Sequence, residues 1–265
     1  MTTDSDVAKW WSTDIIRMEP GVIAIRGEPI EHLIQDISFS DMIWLMTMGA
    51  RPSAGQSRLL QAALVAAVDH GPQAPSVAAS RMAITCGVGI NNAIASGVNM
   101  LGDVHGGAGE QALAVYQDIA ARLTHDDLQK AVSAVIDDLN AEGVQFIPGF
   151  GHRFHKPTDP RAEPLMRILR QVALDDPLVD GHFADIAEAI QAELGLRKGR
   201  PIAMNIDGAT AAIYAALDVP PMLGRALFCL SRSVGLAAHA HEQSKRHERN
   251  KGPTPPHYRW QYTGP

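Results

Sequence analysis

The segment from Pro75 to Gly102 constrains the fold of this chain most, because it is apolar on almost every side of a helix. Its large apolar residues are separated mostly by Ala and Gly. They are Val77, Met82, Ile84, Ile90, Ile94, Val98 and Leu101. A helix with this pattern is buried nearly all round. The segment therefore predicts a fold of closely packed helices, and it leads directly to a histidine, His105.

Further segments with helical periodicity follow one another along the chain, and residues 1–30 look irregular or hairpin-like. Aromatic residues make up only 5% of the chain, which favours close-packed helices over strands. Ser53 and Ser76 are predicted N-caps. The other predicted helices are Pro29–Gln35, Ser40–Met48, Ser53–Val68, Glu110–Leu123, His125–Asn140, Pro160–Leu174, Phe183–Leu194, Ala209–Leu217 and Gly224–Gln243.

Charge and hydropathy exclude several classes of protein. The net charge of −6 argues against a nucleic-acid surface, which needs a broad basic face. No apolar stretch reaches membrane-spanning length, and the polar N-terminal residues contain no signal-peptide core. We therefore expect a cytoplasmic enzyme with small-molecule substrates and with neither nucleic acid nor membrane as a partner.

Three Gly-rich motifs each carry one acid–base group. They are V-H-G-G-A-G-E at Val104–Glu110, G-F-G-H-R at Gly149–Arg153 and N-I-D-G at Asn205–Gly208. Two histidines and a carboxylate, beside glycines that let other backbone come close, are suited to moving protons off carbon and onto oxygen. The candidate catalytic residues are His105, His152 and Asp207.

Each candidate also has a simpler interpretation. Asp207 could be the N-cap of the Ala-rich helix that follows. His105 could be a core histidine whose ring is satisfied by backbone groups. His152 could belong to a flexible turn, or to a cradle in which backbone N–H groups face a phosphate.

His70 follows a predicted helix and could complement the dipole at its end. Arg161 and Arg232 could be surface ion-pair partners, and they are also the residue type that clamps carboxylates in bidentate fashion. The cluster His239, His241 and His247 raises the question of a metal. We expect none, because His-x-His positions point apart on a helix.

The motifs resemble those of the citrate synthase superfamily, and the length resembles its short stand-alone citryl-CoA lyases. The resemblance covers nearly the whole chain and is carried by the following segments as well as the three motifs. They are R-G-E-P-I-E-H-L at Arg26–Leu33, D-H-G at Asp69–Gly71, T-D-P-R at Thr158–Arg161, L-S-R-S-V-G-L-A-A-H-A-H-E-Q at Leu230–Gln243 and Y-T-G at Tyr262–Gly264.

The resemblance implies an all-α fold and a homodimer or higher homo-oligomer. Residues 1–110 and 226–265 would form a discontinuous large domain and residues 111–225 an inserted smaller domain. The active site would lie in the cleft between them, and domain closure would exclude water.

The resemblance also implies roles for matched residues. Asp207 would be the base at the acetyl methyl group, His105 would stabilise the thioester enolate, and His152 would handle the proton on the oxaloacetate-derived oxygen. His70, Arg161 and Arg232 would bind substrate carboxylates. The coenzyme A residues would be Phe146, Ile147, Pro148, Gly149, Phe150, Gly151, Lys198 and Arg200. The CoA thioester would be a substrate, with no permanently bound cofactor and no metal.

Two departures from full-length synthases favour the lyase. Much of their N-terminal part has no counterpart here, and an ungapped match places His257 where the synthases have an arginine that reaches the partner's substrate. Arg249 or Arg259 could replace that arginine. We therefore expect cleavage of citryl-CoA, or of a similar tertiary 2-hydroxyacyl-CoA, to acetyl-CoA and oxaloacetate. The alternatives are a citrate or 2-methylcitrate synthase, a histidine-rich metal-binding protein and a non-catalytic helical scaffold.

Overall fold

A computed structural model describes residues 3–123, 127–152, 155–156, 158–249, 254–255 and 257–265. Within this part the predicted all-α fold is confirmed, and a small antiparallel sheet in the order β1-β2-β3 is added to it. The strands are β1 (Ile16–Glu19), β2 (Val22–Ile25) and β3 (Glu28–Pro29). The helices are α1 (Asp4–Trp10), α2 (Ile30–Asp36), α3 (Phe39–Met48), α4 (Ala54–Ala67), α5 (Pro75–Thr85), α6 (Ile90–Asn99), α7 (Ala108–Arg122), α8 (Leu128–Ala141), α9 (Ala162–Asp175), α10 (His182–Lys198), α11 (Ile206–Ala216) and α12 (Pro221–Ser244).

Helix α11 is the centre of the core. Every residue from Gly208 to Ala216 is buried, and the helix packs on α4, α7, α9 and α10. Its many alanines leave room for neighbouring helices to approach closely, and they favour the helical backbone. The first turn of this buried helix carries Asp207, which places a carboxylate at the middle of the molecule.

The segment from Pro75 to Gly102 forms two helices rather than one. Gly87, with a φ of +86°, lies in the turn between α5 and α6, a backbone conformation that favours glycine. Both helices pack on α12. However, Met82, Ile90 and Met100 are exposed to 46–47%, so the prediction of burial on all sides is wrong for the single chain.

Two predicted helix starts had different outcomes. Ser53 is the N-cap of α4 and accepts a hydrogen bond from the Gln56 N–H. Ser76 is not a cap, because α5 begins at Pro75 after the N-cap Ala74. Proline is favoured at the first helical position since its missing N–H would have no partner there.

The division into a large domain of residues 1–110 with 226–265 and a smaller domain of residues 111–225 stays a prediction. Among the helices of the described residues, none is both long enough and apolar enough to cross a membrane.

Candidate active site

Asp207 lies in the first turn of α11, but it is not the helix cap. The side chain of Asn205 caps the helix by accepting hydrogen bonds from the N–H groups of Asp207 (2.9 Å) and Gly208 (3.2 Å). The simpler interpretation of Asp207 as an N-cap is therefore wrong. The Asp207 carboxylate is therefore not used in capping α11.

The loop Gly149–Gly151 is joined to the start of α11 by backbone hydrogen bonds. The Gly151 N–H donates to Ala203 O (2.6 Å), and the Asn205 N–H donates to Gly149 O (3.0 Å). A methyl group built on Gly208 would lie 2.4 Å from Gly149 O, which is too close for any side chain. The glycines of the two motifs thus allow direct backbone packing, and they hold the loop that carries His152 against the helix that carries Asp207.

His105 is held by the N-terminus of α5. Its Nε2 lies 3.2 Å from the Ser76 N and 3.0 Å from the Ser76 Oγ. Because a backbone N–H can only donate, Nε2 accepts, and the proton of the neutral ring is on Nδ1. The ring is therefore oriented to donate a hydrogen bond from Nδ1. The simpler interpretation of a backbone-satisfied histidine accounts for only one of its nitrogens.

The loop around His105 is clamped by an arginine from α12. Arg225 forms ion pairs with Asp103 (2.6 Å) and Glu110, one at each end of the V-H-G-G-A-G-E motif. A methyl group built on Gly109 in this motif would lie 3.7 Å from Asp207 Oδ1. The first and third motifs are therefore neighbours in space.

His152 of the second motif lies beside His70. The two ring centroids are 5.8 Å apart with planes at 63°. The His155 N–H donates to His152 Nδ1 (2.9 Å), which places the proton of the neutral His152 ring on Nε2. His70 lies in the turn beyond α4 rather than in the last turn of the helix.

The two arginines occupy different surroundings. Arg161 forms a bidentate pair with Asp159, with nitrogen–oxygen distances of 2.9 and 2.8 Å. Arg232 is 4% exposed, lies over the Phe228 ring and donates from Nε to Ala67 O. The prediction of a surface ion pair is therefore wrong for Arg232.

Electrostatic effects connect these groups. Burial raises the pKa of Asp207, although the positive charges of Arg161 and Arg232 oppose the shift. Burial and then Arg232 lower the pKa of His105. The pKa of His152 is also lowered, by burial first and by His155 next. A carboxyl group whose pKa is raised and two imidazoles whose pKa values are lowered suit proton transfer.

The pKa of Asp159 shifts in the opposite direction to that of Asp207. Although it is buried, its hydrogen bonds from Arg161 hold its pKa at about 2, so it stays charged. It also accepts from the Ile206 N–H at the start of α11 (3.2 Å). Asp159 therefore fixes Arg161 and the helix of Asp207 relative to one another.

A cavity of about 890 Å³ has His152 of the second motif in its lining. The predicted coenzyme A residues Phe146, Ile147, Phe150, Gly151, Lys198 and Arg200 line it, together with His152. Pro148 and Gly149 belong to the same loop but do not line the cavity. Gln145, Lys156 and Arg197 also line it. Arg197 is paired with Asp137 and Glu193, so the basic character of the lining comes from Lys156, Lys198 and Arg200 and suits an anionic ligand.

Some predictions fall outside this arrangement. Arg153 of the second motif and the first residue of the helix predicted from His125 lie outside the described residues. Arg249, His257 and Arg259 are exposed in the single chain, and their role stays a prediction.

Across the described ranges, no group of three His, Cys, Asp or Glu side chains is placed to hold a metal.

Several contributing residues were not predicted from the sequence. Ser76 was interpreted as a helix cap, and Asp159 and His155 were given no role. Asn205 could have been recognised, since Asn two residues before an acidic first turn is a capping signal. Ser76 and Asp159 contact residues far along the chain, and His155 contacts a ring nitrogen of His152. Local sequence patterns do not show contacts of either kind.

Comparison with known proteins shows the family of the chain. A family model described as "Citrate synthase, C-terminal domain" matches residues 46–254. The chain belongs to the citrate synthase family. A citrate synthase from Heyndrickxia coagulans is 30% identical over 236 residues, covering 84% of this chain and 56% of that protein. The chain thus spans about half the length of this curated relative of the family.

Solved structures of the family superpose over most of the chain. A citryl-CoA lyase from Hydrogenobacter thermophilus has a TM-score of 0.83 and 31% identity, and the match covers 96% of this chain and 95% of that one. A citrate synthase from Thermoplasma acidophilum, in a ternary complex with carboxymethyl coenzyme A and oxaloacetate, has a TM-score of 0.69 and 26% identity. That match covers 87% of this chain and 58% of the synthase.

Proposed function

We propose that this enzyme of the citrate synthase family cleaves citryl-CoA to acetyl-CoA and oxaloacetate. The observation that carries the proposal is the proximity of Asp207 to the His105 motif, together with a cavity whose lining contains basic side chains and His152. The match to the citryl-CoA lyase, over almost the full length of both chains, favours cleavage over synthesis.

The proposed reaction begins at the tertiary hydroxyl group. Nε2 of His152 accepts its proton, and the oxygen forms the new carbonyl of oxaloacetate as the carbon–carbon bond breaks. Proton acceptance at Nε2 requires the proton of the neutral ring to be on Nδ1. Before this step the Nε2 proton is therefore released to water and Nδ1 takes up a proton from water, with the hydrogen bond from the His155 N–H to Nδ1 broken.

The electrons of the broken bond form the enolate of acetyl-CoA. The Nδ1–H of His105 donates to the enolate oxygen as negative charge develops on it. Asp207, whose raised pKa favours the protonated acid, delivers its proton to the CH₂ carbon, which becomes the methyl group. His70, Arg161 and Arg232 hold the carboxylates of the departing oxaloacetate.

Synthesis is the second candidate, since the same groups serve both directions and the relative from Heyndrickxia coagulans is a citrate synthase. We expect purified protein to release acetyl-CoA and oxaloacetate from citryl-CoA, and to release no free citrate from acetyl-CoA and oxaloacetate. Both assays are read by chromatography of the CoA species and by an enzymatic assay for citrate. Steady formation of citrate in the second assay, without cleavage in the first, would replace the lyase by a synthase.

We also propose that the protein is a homodimer. Helices α5 and α6, which carry the exposed Met82 and Ile90, pack on α12, which carries the exposed Leu230 (46%) and Val234 (62%). Exposed apolar side chains on three helices that pack together are typical of a subunit interface. A second copy would also bury the exposed side chains of the segment from Pro75 to Gly102, whose sequence predicts burial nearly all round.

Light scattering with size-exclusion chromatography tests the dimer. We expect twice the chain mass of 28.5 kDa for the wild type and the mass of one chain for Val234→Lys, because a charge on this face is costly to bury. Leu174→Lys is the matched control, since Leu174 is 87% exposed on α9. A wild type with the mass of one chain would exclude the dimer.

A further inference from the structure

The turn between α4 and α5 presents two neighbouring side chains in different directions. His70 faces His152 of the proposed active site. The carboxylate of Asp69 accepts the Gly71 N–H (3.0 Å) and lies 3.1 Å from the Nε2 of His239 on α12. Asp69 therefore bridges the backbone on the far side of His70 to a residue 170 positions along the chain.

Helix α12 approaches this turn closely. A methyl group built on Gly235 would lie 2.2 Å from Val68 O, so the helix and the turn touch through backbone atoms. Ser231 Oγ donates to Leu64 O (2.5 Å) and Arg232 Nε to Ala67 O (3.3 Å). These contacts hold the end of α4, whereas the His239 ring contacts the side chain of Asp69 in the turn itself.

The surroundings of His239 support its role as a donor to Asp69. Its ring is largely buried, with 17% of the side chain exposed. Burial alone would raise the pKa of Asp69, but the hydrogen bonds from Gly71 and His239 lower it, which favours a charged acceptor. On the other side of the ring, Nδ1 lies 3.8 Å from Glu242 Oε2, and Glu242 lies 3.5 Å from Arg81 on α5.

We infer that His239 is a positioning residue for His70. The Nε2–H of His239 holds the Asp69 carboxylate, the carboxylate holds the Gly71 N–H, and the turn keeps His70 at the cleft. The consequence for ligand binding depends on the proposed function, in which His70 binds a carboxylate of oxaloacetate. Loss of the donor should therefore weaken the binding of the oxo acid and leave the coenzyme A cavity unchanged.

Isothermal titration calorimetry with oxaloacetate and with coenzyme A tests the inference. We expect His239→Leu to weaken oxaloacetate binding about tenfold, as a hydrogen bond to a charged group implies, with coenzyme A affinity unchanged. His239→Gln, which keeps a donor, should restore most of the lost affinity. His239→Phe keeps a ring without a donor and serves if the leucine variant does not fold. The matched control is His241→Leu, because His241 is exposed on the same helix.

Unchanged oxaloacetate affinity in His239→Leu, an equal loss for both ligands, or a glutamine variant no better than the leucine one would each overturn the inference. The proposed function is tested by the wild-type protein alone. It fails if the wild type binds neither oxaloacetate nor coenzyme A.

Nuclear magnetic resonance of the His70 ring distinguishes failure of the positioning role of His239 from failure of the proposed function. In protein with isotope-labelled histidine, we expect the His70 ring signals, assigned with His70→Gln, to shift or broaden in His239→Leu and to stay in place in His241→Leu. Unchanged His70 signals in His239→Leu overturn the positioning role whatever the activity of the protein. A shift confined to the His239 variants supports the role even if the substrate is different.

Discussion

Asp207→Asn is expected to lower kcat by at least ~10²-fold for citryl-CoA cleavage, with the fold retained. Asparagine has nearly the same shape as aspartate but carries no acidic proton for the CH₂ carbon. The cap of α11 is unaffected, since Asn205 supplies it. Cleavage kinetics at saturating substrate measure the effect, and stabilisation by CoA in thermal unfolding shows that the variant still binds ligand.

The same substitution should raise stability at neutral pH. Because burial raises the pKa of Asp207, the folded protein binds this proton more tightly than the unfolded chain does. The stability that this proton contributes is full below the ordinary pKa of 3.8 and is lost as pH rises through the raised pKa. At neutral pH asparagine removes a carboxylate that is costly to ionise, so we expect a higher Tm, with a gain that shrinks in acid.

Asp185→Asn is the matched control for this prediction. Asp185 also lies in the first turn of a helix, but it is exposed and pairs with Arg170 at the surface. Exposed pairs contribute about 0–1 kcal/mol, so kcat should be unchanged and Tm unchanged or slightly lower. Full activity in Asp207→Asn would contradict its role as the acid, and a lower Tm at neutral pH would contradict the sign of the pKa shift.

His105→Ala is expected to lower kcat by at least ~10²-fold, because it removes the donor to the developing enolate. His105→Asn should lose less, since its amide N–H₂ can occupy a position near Nδ1. The comparison depends on the hydrogen bonds from Ser76, which leave Nδ1 as the donor. Single-turnover cleavage kinetics measure both variants.

His182→Ala is the control for the histidine variants, since the His182 side chain is 45% exposed at the start of α10. It should leave kcat unchanged. Wild-type activity in His105→Ala would remove His105 from the mechanism. An asparagine variant as slow as the alanine variant would show that the donor is not the nitrogen that we assign.

The helices and the close backbone approach at the Gly-rich motifs were predictable from local pattern. The Ala-rich run after Gly208 predicts the buried helix α11, and the glycines beside His105 and His152 predict close backbone approach. The break between α5 and α6 was missed, because apolar residues continue on both sides of Gly87. The pattern reports which residues avoid water, and it does not distinguish burial within one chain from burial against a second copy.

The hydrogen-bonded partners of the candidate site were not predictable in the same way. Ser76 is 29 positions from His105, and Asp159 is 47 positions from the Ile206 N–H that it accepts. Each contact depends on how two helices meet, which no short window of sequence contains. The tautomer of His105 follows only from such a contact, so its donor nitrogen required coordinates.

The contact between Gly149 and Gly208 has a consequence for movement of the two motifs. A methyl group on Gly208 would lie 2.4 Å from Gly149 O, so the backbone of the loop and that of the first turn of α11 touch directly. Neither segment can therefore be displaced without displacing the other, and His152 and Asp207 are mechanically coupled through two residues that have no side chain.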